Sequence, residues 1–166
     1  MKQVFIFILL FPLWLSAQTV HLHKKKVEYK DNVKLQGLSE TEIFNRAKEA
    51  VQNVVHPIVD ISIDKDKKEL KTEGVIRLST SYPIVQNVHY TLKLSAKDGG
   101  YHYKIDDVSL WERHRGDDRG RLISSKDLVD QLDDTGKPAI EAEHVLNAID
   151  LNLQKILTLI ETKMKG

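Results

Sequence analysis

A strict two-residue alternation runs through the middle of the chain and constrains its fold more than any other feature. Val88, Tyr90, Leu92, Leu94 and Ala96 alternate with His89, Thr91, Lys93 and Ser95. Lys97-Asp98-Gly99-Gly100 follows, and Tyr101, Tyr103 and Ile105 resume the pattern. Successive side chains of a strand point to opposite faces. This spacing therefore predicts two strands, each with one apolar face, joined by a hairpin turn. Beyond Ile105 the phase slips, because Val108 and Leu110 sit on the opposite parity. A bulge at Asp106-Asp107 accounts for the slip.

Further strands are predicted before this hairpin. Val27, Tyr29, Val33 and Leu35 fall on one side of a first strand, with an interruption at Asp31-Asn32 that suggests a bulge. Ile58–Asp64 places Val59, Ile61 and Ile63 on one face. After the charged turn Asp64-Lys65-Asp66-Lys67-Lys68, Leu70–Ser79 places Leu70, Thr72, Gly74, Ile76 and Leu78 on one face. Tyr82-Pro83 lies in the next connection.

Two helices complete the pattern. Ser39-Glu40-Thr41-Glu42 is a capping box, flanked by Leu38 and Ile43 in hydrophobic-staple positions. Ile43, Phe44, Ala47, Val51 and Val54 recur at helical spacing, and Pro57 stops the helix. The last helix is predicted from about Pro138 to Lys163. Ala142, Leu146, Ile149, Leu153, Ile156 and Ile160 step by three and four, and Val145, Leu157 and Met164 widen the stripe. A stripe this broad suits a helix lying across a sheet better than a two-stranded coiled coil. Leu151 projects opposite the stripe and Leu159 to its flank, where a partner could be met.

The order β-α-β-β-β-β-α predicts an α+β two-layer domain, an antiparallel sheet of about five strands with two helices on one face. Between the last strand and last helix, residues 111–138 form a long, heavily charged connection. Within it Ser125–Leu132 has the pattern of a short helix capped by Ser124 or Ser125, and 133–138 reads as a turn. Structureless loops of such length are uncommon and tend to carry function.

The N-terminus speaks to compartment. Lys2 precedes the apolar run Val4–Leu15, and Ser16-Ala17 leads into polar Gln18-Thr19. This is the pattern of a cleavable secretory signal over residues 1–17, cut after Ala17. Twelve apolar residues rise only about 18 Å as a helix, against a hydrocarbon core of roughly 30 Å. No stable membrane span is expected once the signal is removed, and residues 18–166 form one domain. With no cysteine, thiol catalysis, disulfides and Cys-based metal sites are excluded. There are 25 basic and 24 acidic residues, so net charge provides no long-range attraction for nucleic acid.

The segment Gly37-Leu38-Ser39-Glu40-Thr41-Glu42-Ile43-Phe44-Asn45-Arg46-Ala47-Lys48-Glu49 carries a pattern of Ser, acid, large apolar, aromatic, then Arg-Ala. Together with Tyr90–Leu94 and Lys97–Tyr103, it resembles a family of exported bacterial domains of unknown function. That family is described as having a TATA-box-binding-protein-like fold. The resemblance covers roughly Val27 to Leu110, and the final helix by order only; Ala50 departs from it where the family carries an aromatic. It implies a TBP-like β-α-β4-α fold and an exported, Gram-negative setting, and carries over no catalytic or binding residues.

No catalytic constellation emerges from the residues. The pairs Asp106-Asp107, Asp117-Asp118 and Asp133-Asp134 lie in charged, solvated runs, whereas a general acid needs a desolvated site. The histidines (His21, His23, His56, His89, His102, His114 and His144) show no zinc-ligand spacing. No metal or cofactor is expected. A DNA-gripping sheet needs a basic face with apolar wedges. The solvent parity instead mixes Lys71, Arg77, Lys93 and Lys104 with Glu69, Glu73 and Asp106, leaving only Val75 and Val108 apolar, so nucleic acid is not an expected partner. Arg115-Gly116-Asp117 matches the integrin tripeptide, a three-residue coincidence.

Two functional expectations remain. The first is an exported non-enzymatic domain that binds a protein or envelope component through Trp111, Arg113, Arg115, Arg119 and Arg121, since Trp and Arg dominate binding hot spots. The second is a small-ligand carrier or hydrolase. Its cavity would lie between sheet and last helix, lined by Phe44, Tyr90, Tyr101 and Tyr103.

Overall fold

The computed structural model describes residues 22–23, 26–78, 84–114, 116, 119–133 and 139–166. The predicted signal (1–17), the Tyr82-Pro83 connection, Arg115, Asp117-Asp118 and the 134–138 turn lie outside the described residues. Eleven elements follow one another within that range. They are β1 (Leu22–His23), β2 (Lys26–Val27), β3 (Tyr29–Lys34), α1 (Glu40–Val54), β4 (Ile58–Asp64) and β5 (Glu69–Leu78). β6 (Ile84–Lys97), β7 (Gly100–His114), β8 (Arg121–Ser124), α2 (Ser125–Asp133) and α3 (Ala139–Lys165) complete them.

The long hairpin β6–β7 is the centre of an antiparallel sheet ordered β3-β7-β6-β5-β4. β3 pairs with the first half of β7 and β8 with its second half, so both lie along the same edge. β1 and β2 form a separate two-stranded ribbon. The domain is thus α+β as expected, but its main sheet has six strands rather than about five, and three helices rather than two. The additional strand, β8, comes from the charged connection. Three of its four residues are exposed, so no alternating apolar pattern announces it. Trp111–His114 also belongs to β7, which shortens the connection predicted over 111–138.

The hairpin behaves as its alternation demands. Residues 86, 88, 90, 92, 94 and 96 are buried on the face toward the helices. His89 pairs with Ser109 and Thr91 with Asp106, so Tyr90 alone opposes Asp107 and Val108. Asp107 has φ +53°. The bulge therefore lies at Asp107-Val108, one residue beyond the predicted Asp106-Asp107, and it turns Val108 and Leu110 into the core. Val108, counted on the solvent parity in the sequence, is 3% exposed and belongs inside. The first strand runs without interruption from Tyr29↔Ile105 to Lys34↔Gly100, so no bulge forms at Asp31-Asn32. A bulge appears instead in β4 between Ile58 and Asp60, leaving Val59 exposed and giving Ile58 the inward position.

The two segments that carry the sequence resemblance meet in space. Ser39 N–H donates to Glu42 Oε2 (2.9 Å) and Glu42 N–H donates to Ser39 Oγ (3.4 Å), closing the capping box. Caps of this kind contribute about 0.5–2 kcal/mol. The hairpin turn completes the end of α1: Glu40 N–H donates to Asp98 Oδ1 (3.0 Å) and Gly99 N–H to Leu38 O (3.3 Å). Gly99 sits at φ +75°, where glycine costs least. At the other side of α1, Arg46 Nη1 donates to Met164 O (3.0 Å), tying α1 to the end of α3. α2 begins as predicted, with Ser124 Oγ accepting from Asp127 N–H (3.1 Å).

The core lies between the sheet and the helices. Ile43, Ala47 and Val51 of α1 and Leu146, Ile149, Leu153 and Ile160 of α3 contribute to it. Leu151 and Leu159 of α3 are exposed, as their positions off the stripe imply.

Candidate functional site

The sheet leaves one face open. Cross-strand register aligns Arg77, Asn87, Trp111 and Leu122 across β5, β6, β7 and β8, with Val85 beside Arg113 in the neighbouring row. Because of the bulge, Leu110 points inward and Trp111 outward. The Arg113 guanidinium stacks over the Trp111 ring at 5.5 Å, a cation–π arrangement. Gly120 also lies against the indole, where a Cβ would collide with the ring. Arg113 Nε is buried and has no hydrogen-bond partner among the described residues. Leu122, 68% exposed, sits next to the indole.

Of the five patch residues expected from sequence, Trp111 and Arg113 come together here. Arg121 does not: it pairs with Glu112 on the opposite face, Nε to Oε1 at 2.7 Å, while Gln86 Nε2 donates to Glu112 Oε2 (3.0 Å). Burial works to raise the Glu112 carboxyl, but these bonds hold it below the usual carboxylate range. Arg119 is exposed just before β8, and Arg115 lies outside the described residues. Arg77, placed on the open face by its parity, joins the patch, as does Leu122, which the sequence did not single out. Leu122 requires knowing that β8 exists, and Arg77 requires the β5–β6 register.

Farther along the same face, charges alternate. Lys30 and Lys104 reach Glu28 at 3.1 and 3.3 Å, and Lys104 and Lys93 reach Asp106 at 2.8 and 3.1 Å. For Asp106, burial would raise the carboxyl, but the Lys104 and Lys93 ammonium groups hold it below its ordinary value. The Lys30 ammonium, and behind it Lys104, does the same for Glu28. Folded carboxyls with depressed pKa bind protons more weakly than in the unfolded chain. Their contribution is therefore fully present above about pH 4–4.5 and lost as pH falls through the folded values. Urea midpoints measured from pH 7 to pH 3 are expected to fall on the acid side. In Lys104→Met the midpoint at pH 7 should be lower and the acid slope shallower; an unchanged slope would dissociate the network from acid sensitivity.

On the covered side, a cavity of about 230 Å3 lies between the β3/β7 edge and α3. Tyr29, Tyr101 and Tyr103 line its sheet wall, and Gln154, Leu157, Thr158 and Glu161 its helix wall. Two of the four expected cavity residues are there. Phe44 and Tyr90 are not. Phe44 is buried on α1 with the Lys48 and Lys68 ammonium groups 5.1 and 5.7 Å from its ring centre. Tyr90 lies across Gly74, its cross-strand neighbour, where a Cβ would strike the ring. Burial pushes its hydroxyl up to about 12.

Tyr29 enters in their place, anchored by Asp150. Its hydroxyl donates to Asp150 Oδ1 (2.5 Å), and Gln154 Nε2 donates to Asp150 Oδ2 (2.8 Å). Asp150 is 2% exposed. The signal for it was present: a carboxylate beside Ile149 inside the apolar stripe of α3.

Among the described residues, no group of three His, Asp or Glu side chains is placed to hold a metal ion. No helix among them is long and apolar enough to cross a membrane.

A family model described as "Domain of unknown function (DUF4468) with TBP-like fold" matches residues 29–111, half of the chain. The chain belongs to the DUF4468 family. The match starts at β3 and ends at Trp111, so it takes in the central hairpin and α1 and stops short of β8, α2 and α3. The fold is similar to that of a TBP-like protein from Parabacteroides distasonis ATCC 8503, with a TM-score of 0.75 at 15% identity, covering 89% of this chain and 97% of that one. A DUF4468 family protein from Bacteroides ovatus ATCC 8483 is similar as well, with a TM-score of 0.64 at 13% identity, covering 89% and 91%. At such identity the likeness concerns the fold. No curated protein matches the chain.

Proposed function

We propose that this DUF4468 domain is an exported, non-enzymatic bacterial binding module, periplasmic or secreted, that takes a protein or envelope component on the open end of its sheet. The observation that carries this reading is the Trp111–Arg113–Leu122 cluster. A stacked Trp–Arg pair beside an exposed leucine is the composition of binding hot spots. The Arg113 guanidinium over the indole adds a positive charge that a partner's carboxylate or carbonyl can meet. The preferred partner therefore offers an apolar side chain next to an acidic or carbonyl group.

Two further features support the reading. The N-terminal signal pattern implies export. The lysines of the open face are shared among Glu28 and Asp106 rather than presented as a basic saddle, which argues against a nucleic-acid role despite the fold name.

Replacing Trp111 and Leu122 with serine should abolish retention of a specific partner from envelope extract, with at least tenfold less recovered. The variant's unfolding midpoint should stay near that of the parent, because both residues sit on the open face. Equal recovery by the folded variant would place the contact elsewhere.

A further inference from the structure

The cavity beneath α3 has a chemistry of its own. Its sheet wall is formed by phenol rings, with Tyr101 and Tyr103 centroids 6.5 Å apart and tilted by 41°. No lysine, arginine or histidine lines it. Glu161 contributes a carboxylate from the helix wall. Asp31 stands directly across the β3–β7 ladder from Tyr103. Tyr101 is 3% exposed, and its hydroxyl makes no hydrogen bond to the described residues. A small space with aromatic faces, a carboxylate and no cationic side chain in its lining favours a cation.

We propose that this cavity binds a small primary alkylammonium ion, with the ammonium bonded to Glu161 and the tyrosine hydroxyls and the alkyl chain against Tyr101 and Tyr103. At about 230 Å3 the space falls below the roughly 300–1,000 Å3 of sites for drug-sized molecules, so the ligand is small. The protein already supplies an ammonium to this carboxylate: Lys165 Nζ lies 2.5 Å from Glu161 Oε1. That exposed i,i+4 pair is weak, and a ligand that adds aromatic contact displaces it. Burial, and next the Glu161 carboxylate, hold the Tyr101 hydroxyl protonated far above neutral pH, so it is present as a neutral phenol. The site lies on the covered side of the sheet, away from Trp111, and does not depend on the binding-module reading.

The test is calorimetric titration of the purified domain with n-butylammonium chloride, beside n-butanol and sodium butyrate as neutral and anionic isosteres. The expected result is saturable amine binding, with both isosteres about tenfold weaker or worse. Glu161→Gln should cut amine affinity about tenfold, and Lys165→Ala should raise it by removing the competing ammonium. Both positions are partly exposed on α3, and the unfolding midpoint of each variant confirms that it is folded. No saturable amine binding, equal binding of butanol, or an amine affinity unmoved by Glu161→Gln would each overturn the proposal.

Discussion

Replacing Tyr90 with alanine is expected to lower the unfolding free energy by about 3–5 kcal/mol, the cost of emptying a buried aromatic site. Tyr90 is 3% exposed on the central strand β6, and its ring fills the space that Gly74 leaves on β5. Gly74→Ala should cost about 1–3 kcal/mol for the complementary reason, because its new methyl meets that ring. The double variant is the informative one. With the ring gone, the methyl at position 74 has room, so the two losses should sum to more than the loss in the pair. Urea unfolding of the four proteins provides the cycle. Strict additivity would mean that the ring does not rest on Gly74.

The second large effect concerns the buried carboxylate under α3. Tyr29→Phe removes the hydroxyl that donates to Asp150 and leaves this 2%-exposed carboxylate with one donor fewer. The expected loss is about 1–3 kcal/mol, read as a lower urea midpoint. Asp150→Leu added to Tyr29→Phe should recover much of that loss. A buried pair replaced by apolar groups costs far less than a pair broken on one side. An unchanged midpoint in Tyr29→Phe would show that Asp150 is satisfied without it.

Both effects rest on contacts that differ in how visible they are in the sequence. The hairpin, its bulge to within one residue, the capping box and the stripe of α3 were legible because each depends on local spacing. The neighbour of Tyr90 was not, because the β5–β6 register that sets Gly74 opposite Tyr90 is a property of two strands. Taken for a cavity residue, Tyr90 is instead a packing residue. Tyr29 was legible as a strand residue, and only its alignment with α3 shows it beside Asp150. The exposed bulge in β4 was hidden because Val59, Ile61 and Ile63 alternate as an unbroken strand would. β8 left no signal, since an edge strand with Leu122 facing solvent buries little. With β8 missing, Trp111 and the arginines read as one charged loop. The sheet separates them, placing Trp111 and Arg113 on the open face and Arg121 on the other.

The most direct test of that arrangement places a photo-crosslinking residue at one exposed apolar position at a time. Leu122 on β8, Val59 on β4 and Leu151 on α3 are 68%, 58% and 56% exposed, so each is accessible. Illumination in the native envelope is expected to give a discrete partner adduct from position 122, lost when Arg113→Ala is added. An adduct from 59 or 151 with none from 122 would contradict the assignment of the contact to the Trp111–Arg113 end of the sheet.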